Sequence, residues 1–397
     1  MSRVNQIAIL LRNLATGILA PVLTLVLLAN GASISTISLL LGAYSLTVIL
    51  FEFPSGVFAD VFGRKPAFLF SIVMQFLSYC AFLFSQSLIL LFIAMILNGL
   101  GRAFSSGSID ALAIDEAEKG GVDITVITTR ISILESIGLA AGALLGGLVS
   151  GLGGRYEGNL LTNIAICTIL FFLTLLYIHE PLRARTPLKR HENQKTIMVQ
   201  VKSSLAFIWE KGPARPLFLL VFVMGFSLLS IETYWQPGFA QAKPAQWMYG
   251  VLSFAGFACV MIGSKLAEHL LTRYKNSGFF LLLATKAFFG IGLILLYTQM
   301  FQASFILTFM FIYVFIGSGS VAENTLLNRA VPSSQRASVL SLFSFVLQIG
   351  GLLASATGFI VSNLFGFRIM WLISGIITVV IVSVYALIRR GRNKKSC

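Results

Sequence analysis

Charged residues are scarce in this 397-residue sequence. They make up 11% of it and hydrophobic residues 57%, whereas a typical soluble domain has about 25% and about 45–50%. The mean hydropathy is +0.88. A water-soluble fold cannot bury so much apolar surface, so we expect a membrane protein whose few charges lie at membrane boundaries or at working sites.

Residues that bind metals or carry out catalysis are also few. The cysteines and histidines lack metal-site spacing; they are Cys80, Cys167, Cys259, Cys397, His179, His191 and His269. The sequence has no G-x-x-x-x-G-K-[ST] loop for ATP and no recognisable nucleophile, base and orienting group. We therefore expect no enzyme activity, no cofactor, no metal and no use of ATP as the energy source.

Long apolar runs occupy most of the chain. Continuous Leu-, Ile- and Phe-rich runs favour helices over transmembrane strands, which are shorter and alternate in polarity. Twelve runs of 18 to 29 residues are long enough to cross a membrane: 6–29, 34–58, 67–84, 88–112, 124–152, 160–178, 216–239, 249–271, 279–298, 304–327, 337–361 and 367–388. The predicted fold class is all-α integral membrane, with twelve transmembrane helices.

The basic residues fall mainly on one side of these spans. With the N-terminus inside, the cytoplasmic segments contain 21 Lys and Arg, and the outside segments contain only Arg155, Lys243 and Arg368. This distribution follows the positive-inside rule and places both termini in the cytoplasm. It also accounts for the net charge of +14 without nucleic-acid binding. The expected partners are the lipid bilayer, protons and a small-molecule substrate, with the chain acting as a monomer.

The longest polar stretch separates six spans from six. We predict an N-terminal six-helix bundle at 1–180, a basic cytoplasmic linker at 181–215, and a C-terminal six-helix bundle with a basic tail at 216–397. Paired six-helix halves are typical of transporters that expose a central site to alternate sides of the membrane.

The loop after the second span, EFPSGVFADVFGRKP, contains a set of polar and glycine positions. Gly56, Asp60, Gly63, Arg64 and Lys65 resemble the major-facilitator signature G-x-x-x-D-x-x-G-R-K. The resemblance implies two pseudo-symmetric bundles and a cytoplasmic gate formed by these residues. Gly56 would allow close helix approach, and Asp60 would accept hydrogen bonds from a basic group or helix amides. The alternative for Arg64 and Lys65 is topology anchoring alone.

The same loop has a narrower resemblance. Glu52 and Pro54, taken with Asp60, Arg64 and Lys65, are similar to the variant motif of the clostridial tetracycline-efflux protein and related bacterial exporters. Glu52 lies eight residues before Asp60, about 12 Å along a helix. That places Glu52 within the membrane, where we expect it to be protonated or to bind another span.

Glycines recur every four residues in the fifth span. The sequence GLAAGALLGG resembles an antiporter pattern of the same superfamily, with Ala143 where that pattern has proline. Such a stripe permits tight contact with a partner helix, and ordinary packing is the alternative to an antiport role. Its glycines are Gly138, Gly142, Gly146 and Gly147.

The fourth span contains Arg102, which we expect to be buried and to face a cavity or an acidic partner. It resembles a family arginine in residue type but not in its spacing to Gly107, and a role in proton coupling or gating is favoured over a structural one. Asp110 and Asp115 follow at the cytoplasmic end. We predict that they form gating pairs with Arg64 or Arg130.

Acidic residues inside other spans are candidates for proton coupling. Glu135, in the middle of the fifth span, is the first candidate, and a static ion pair with Arg102 or Arg130 is its alternative. Glu232 in the seventh span is the second candidate.

Candidates for the wall of a substrate cavity come from the second half. They are Glu232, Tyr234, Trp235, Glu323 and Asn324. Tyr234 and Trp235 also suit an interfacial position. Lys286 in the ninth span has no assigned role beyond snorkelling or pairing with an acid.

The predicted function is secondary active transport in a bacterial cytoplasmic membrane. Proton-coupled export of an amphipathic drug or small metabolite fits the two signatures and Glu135. An uptake symporter for a small solute and a lipid or lysolipid transporter remain alternatives with the same fold. A membrane enzyme or scaffold is disfavoured because buried charges occur in both halves without a catalytic set.

Overall fold

A computed structural model describes residues 2–105, 108–119, 124–178, 180, 215–274, 278–330 and 336–395. In these residues every regular element is an α-helix, as the sequence predicts. The helices are α1 (Arg3–Leu19), α2 (Leu23–Ala29), α3 (Ile34–Phe62), α4 (Arg64–Leu83), α5 (Leu88–Ser105), α6 (Ile109–Lys119), α7 (Ile124–Val149), α8 (Glu157–Tyr177), α9 (Arg215–Ala240), α10 (Trp247–Arg273), α11 (Gly278–Thr298), α12 (Gln302–Ala330), α13 (Arg336–Phe365) and α14 (Arg368–Lys395).

The membrane-spanning count agrees with the predicted twelve. Eleven helices of the described chain are long and apolar enough to cross a membrane, or twelve if α1 and α2 form one span bent by 51°. The bend lies at Pro21, where the chain lacks an N–H for helical hydrogen bonding. The first span, predicted at 6–29, therefore contains a bend that the apolar pattern did not indicate.

Local sequence explains where other helices begin and end. Ser33 caps α3, its hydroxyl accepting from the Thr36 amide at 3.1 Å. Pro54 suggests a helix break, but α3 continues through it and ends at Phe62. Gly63 follows with φ of +108°, a backbone conformation that strongly favours glycine.

The chain divides into two compact units. The first takes the described residues of 1–182 and Thr233–Ala255, and the second takes those of 183–232 and Gly256–Cys397. In the first, α1 packs on α7 and α8, and α4 packs on α5 and α8. In the second, α11 packs on α12 and α14. The predicted linker at 181–215 falls almost entirely outside the described residues, so the division into bundles on either side of it stays a prediction.

Candidate functional site

Arg12 joins three helices of the first unit through its guanidinium. Nη1 donates to Asp110 Oδ2 of α6 at 2.9 Å, and Nη2 donates to Glu135 Oε1 of α7 at 2.8 Å. The Arg12 side chain is 7% exposed, against 25% for Asp110 and 36% for Glu135. These three residues form the Arg12 cluster, in which two partly exposed carboxylates bind one buried guanidinium.

The glycine stripe of α7 explains how α1 comes near enough for this contact. A Cβ at Gly138 would lie 2.8 Å from the Leu10 carbonyl oxygen, and one at Gly142 would lie 2.8 Å from the Gly17 Cα. Gly146 faces Ile18 in the same way. Side chains on this face would therefore push α1 away from α7. Gly147 instead faces Gly250, and the antiport role of the stripe stays a prediction.

Glu135 pairs with Arg12. The alternative predicted for Glu135, a static ion pair with Arg102 or Arg130, is wrong in its partner. Arg130 is exposed. In the sequence, Arg12 is a single charged residue within the first span. It lies 123 positions from Glu135, so no local pattern indicated the contact.

Asp110 also has a different partner from the predicted ones. It binds Arg12 rather than Arg64 or Arg130, and in the described chain its Oδ1 atom is buried without a hydrogen-bond partner. Arg64 Nη1 instead donates to the Ala111 carbonyl oxygen. The side chain of Asp115 lies outside the described residues.

Arg102 was expected to be buried and is exposed. It lies close enough to the Tyr44 hydroxyl for an electrostatic interaction. Across the described ranges it forms no hydrogen bond or ion pair. Its coupling or gating role stays a prediction.

The end of the signature loop is bound by a residue that sequence reasoning missed. Glu180 accepts from the backbone amides of Arg64 and Lys65, both at 2.9 Å, at the start of α4. A Cβ at Gly63 would lie 2.7 Å from Glu180 Oε2. Glycine at 63 therefore provides both the positive φ and the room for the carboxylate, which also favours the positive helix end. An acid directly after the sixth span was the available signal.

Three further residues of the two loop motifs, Glu52, Gly56 and Asp60, are exposed. A Cβ added at Gly56 would meet no atom within 4 Å, so the expected close helix contact is absent there in the described chain. The gating role of Gly56 and Asp60 and the proton role of Glu52 stay predictions.

Two of the proposed cavity residues are buried instead. Tyr234 is 1% exposed and Trp235 is 3% exposed. The Tyr234 hydroxyl hydrogen-bonds to Ser38, and the Trp235 ring lies 6.3 Å from that of Tyr249. Both side chains therefore pack within the first unit, which contradicts their assignment to an open cavity wall and to the membrane interface.

The remaining three candidates lie in the second unit. Glu232 is exposed and accepts from the Tyr313 hydroxyl at 2.7 Å. Glu323 is 8% exposed and forms an ion pair with Lys286 at 2.8 Å, so it does not line an open cavity. This pair supplies the acidic partner that we considered for Lys286. Asn324 is exposed.

The family follows from a match along most of the chain. The model described as Major Facilitator Superfamily matches residues 7–355. The chain belongs to the Major Facilitator Superfamily. It is thus a multi-pass membrane transporter of this superfamily, as the loop signature indicates.

Curated relatives are distant in sequence. An uncharacterised MFS-type transporter of Bacillus subtilis (strain 168), YxaM, is 24% identical over 381 residues, covering 95% of this chain and 93% of that protein. The class B tetracycline resistance protein of Escherichia coli is 23% identical over 271 residues, covering 67% and 62%. Multidrug resistance protein 2 of Bacillus subtilis (strain 168) is 24% identical, covering 55% and 53%.

Solved structures share the fold. The nucleoside transporter NupG superposes with a TM-score of 0.79 at 14% identity, covering 97% of this chain and 99% of its own. A D-xylose-proton symporter superposes with a TM-score of 0.70 at 15% identity, covering 96% and 95%. At these identities the likeness concerns the fold alone.

Proposed function

We propose that this protein exports an amphipathic drug or small metabolite across a bacterial cytoplasmic membrane in exchange for protons. The observation that carries the proposal is the charge balance of the Arg12 cluster, in which one guanidinium contacts two carboxylates. One negative charge is in excess. Uptake of one proton would leave a balanced ion pair, which costs less in a membrane than a net charge.

Glu135 is the carboxylate that would exchange the proton. Its side chain is more exposed than that of Asp110, 36% against 25%, so it is the more accessible of the two carboxylates. A proton bound from outside would convert the Glu135 carboxylate to a neutral acid and weaken its bond to Arg12. α1 and α7 would then be free to shift relative to each other, and release of the proton inside would restore the bond.

The relatives support the export direction. Among them are proteins named for multidrug resistance and for tetracycline resistance. Expression in an efflux-deficient bacterial host should therefore raise the growth-inhibiting concentration of at least one amphipathic antibiotic and lower its cellular content. A rise in cellular content would indicate uptake instead.

Proton coupling is tested with that antibiotic in everted vesicles. A protonophore should abolish uphill transport by the native protein. Glu135→Gln should lower uphill transport at least about tenfold while gradient-free substrate exchange stays within about twofold, because the coupling and not the pathway is lost. Glu268→Gln, in an exposed ion pair, is the matched control. Uphill transport that survives the protonophore would contradict proton coupling.

A further inference from the structure

Glu232 is an accessible carboxylate in an otherwise buried part of α9. Its neighbours Ser230 and Ile231 are 1% and 0% exposed, and Thr233 is 3% exposed. One turn further on, Trp235 and Gln236 are 3% and 2% exposed. A lipid-facing side of the helix would be open along several turns, so the open space in front of Glu232 is local.

No basic side chain of the described residues pairs with this carboxylate. Asp110 and Glu135 share Arg12, and Glu323 has Lys286. In the part of the chain that the structure describes, Glu232 makes only the hydrogen bond from Tyr313 to Oε1. Oε2 is left for a ligand. An unpaired carboxylate at membrane depth is costly, and a cationic ligand would remove that cost.

Aromatic packing holds the hydroxyl that positions Glu232. The Tyr313 ring stacks on Phe309 with centroids 4.2 Å apart and planes at 27°. Both rings lie 3.1 Å from a Cβ position at Gly256 of α10. On the α9 side, Trp371 Nε1 donates to the Ser230 carbonyl oxygen at 3.3 Å. The carboxylate and its donor are thus supported from both sides before any ligand binds, which lowers the ordering cost of binding.

We propose that Glu232 binds the cationic group of a lipophilic organic monocation. The half-buried Leu228 and Leu229, one turn before Glu232, provide apolar contact for the body of such a molecule. A neutral or anionic amphipath would leave the Glu232 charge unbalanced and bind more weakly. The inference rests on the proposed export function and names its substrate class.

Two ions of nearly equal shape and opposite charge test this assignment. Purified full-length protein in detergent, without any ion gradient, is titrated with tetraphenylphosphonium and with tetraphenylborate. The native protein should bind the phosphonium at least about tenfold more tightly. Glu232→Gln should weaken phosphonium binding by about tenfold or more, the loss of a charged contact, and should leave borate binding unchanged or strengthen it, because the repulsion between two negative charges is removed. Glu268→Gln should change neither affinity.

Tyr313→Phe keeps the ring and removes the hydroxyl. It should weaken phosphonium binding by about three- to tenfold, since the carboxylate loses its positioning bond, and melting temperatures of all variants confirm folding. Unchanged phosphonium affinity in Glu232→Gln would overturn the assignment, and so would an equal loss for both ions. Because binding is measured without a gradient, failure here is separate from failure of proton-coupled export.

Discussion

The two units hold their buried basic residues in different ways. Arg12 contacts two carboxylates that are 25% and 36% exposed. Lys286 contacts one carboxylate, and the two side chains are 3% and 10% exposed. Lys286 Nζ and Glu323 Oε1 form an ion pair at 2.8 Å. In the described chain neither atom has a hydrogen-bond partner of suitable geometry.

This contrast underlies our proposal that the Arg12 cluster exchanges protons and the Lys286 pair does not. The Arg12 cluster has one carboxylate in excess and both of its carboxylates are partly exposed, whereas the Lys286 pair is balanced and buried. In a balanced, buried ion pair, a change of protonation at either residue would leave a net buried charge. The pair therefore mainly fixes the packing of α11 against α12. We therefore expect variants at Lys286 to affect stability and variants of the Arg12 cluster to affect coupling.

The largest expected effect is on stability, from Lys286→Met. The change leaves Glu323 buried without a counter-charge, which should lower the free energy of unfolding by about 3–5 kcal/mol. Equilibrium unfolding of the purified protein in mixed detergent measures it.

The control for that change is the double variant Lys286→Met with Glu323→Leu. It removes both charges and should recover the stability to within about 1 kcal/mol of the native protein, since a well-packed apolar pair can replace a buried ion pair. A single variant as stable as the native protein would show that water reaches the pair, and the contrast between the units would fail.

A smaller loss should follow from Arg12→Lys. An ammonium cannot present the two separate nitrogen donors that reach Asp110 and Glu135 together. Loss of one charged hydrogen bond should cost about 1.5–3 kcal/mol of unfolding free energy and should also reduce uphill transport.

Arg3→Lys is the matched control, because Arg3 is an exposed arginine at the start of the same helix, α1. It should leave stability and transport near the native values. If Arg12→Lys behaves like Arg3→Lys, the geometry of the guanidinium does not matter and the cluster needs only a positive charge.

The sequence predicts the fold better than the site. Hydropathy depends on local composition, so the spans and their number follow from windows of the chain. The glycine stripe likewise predicts a close helix neighbour, because its spacing lies within α7. Even so, the bend at Pro21 depends on how the neighbouring residues pack and was not predicted, whereas the predicted span 34–58 already passes through Pro54.

Ion pairs and hydrogen bonds between different helices leave no comparable pattern in the sequence. Arg12 meets Glu135 from 123 positions away, and Glu180 meets Arg64 from 116 positions away. Residue types indicated an ion pair only as one alternative for Glu135 and Lys286, because only the packing of helices selects which charges meet. The same limit applies to Tyr234 and Trp235. Their residue types fit the wall of a substrate cavity, and only the packing of helices shows that both side chains are buried.

The smallest effect on stability is expected from a change at Lys265. Lys265 and Glu268 form an ion pair at 3.0 Å on α10, with side chains 81% and 59% exposed. Water already solvates both ions, so Lys265→Ala should change the free energy of unfolding by about 0.5 kcal/mol or less, in the same detergent titration. Raising the salt concentration should erase this difference but leave most of the Lys286→Met effect. A loss at Lys265 as large as that at Lys286 would mean that burial does not set the strength of ion pairs in this protein.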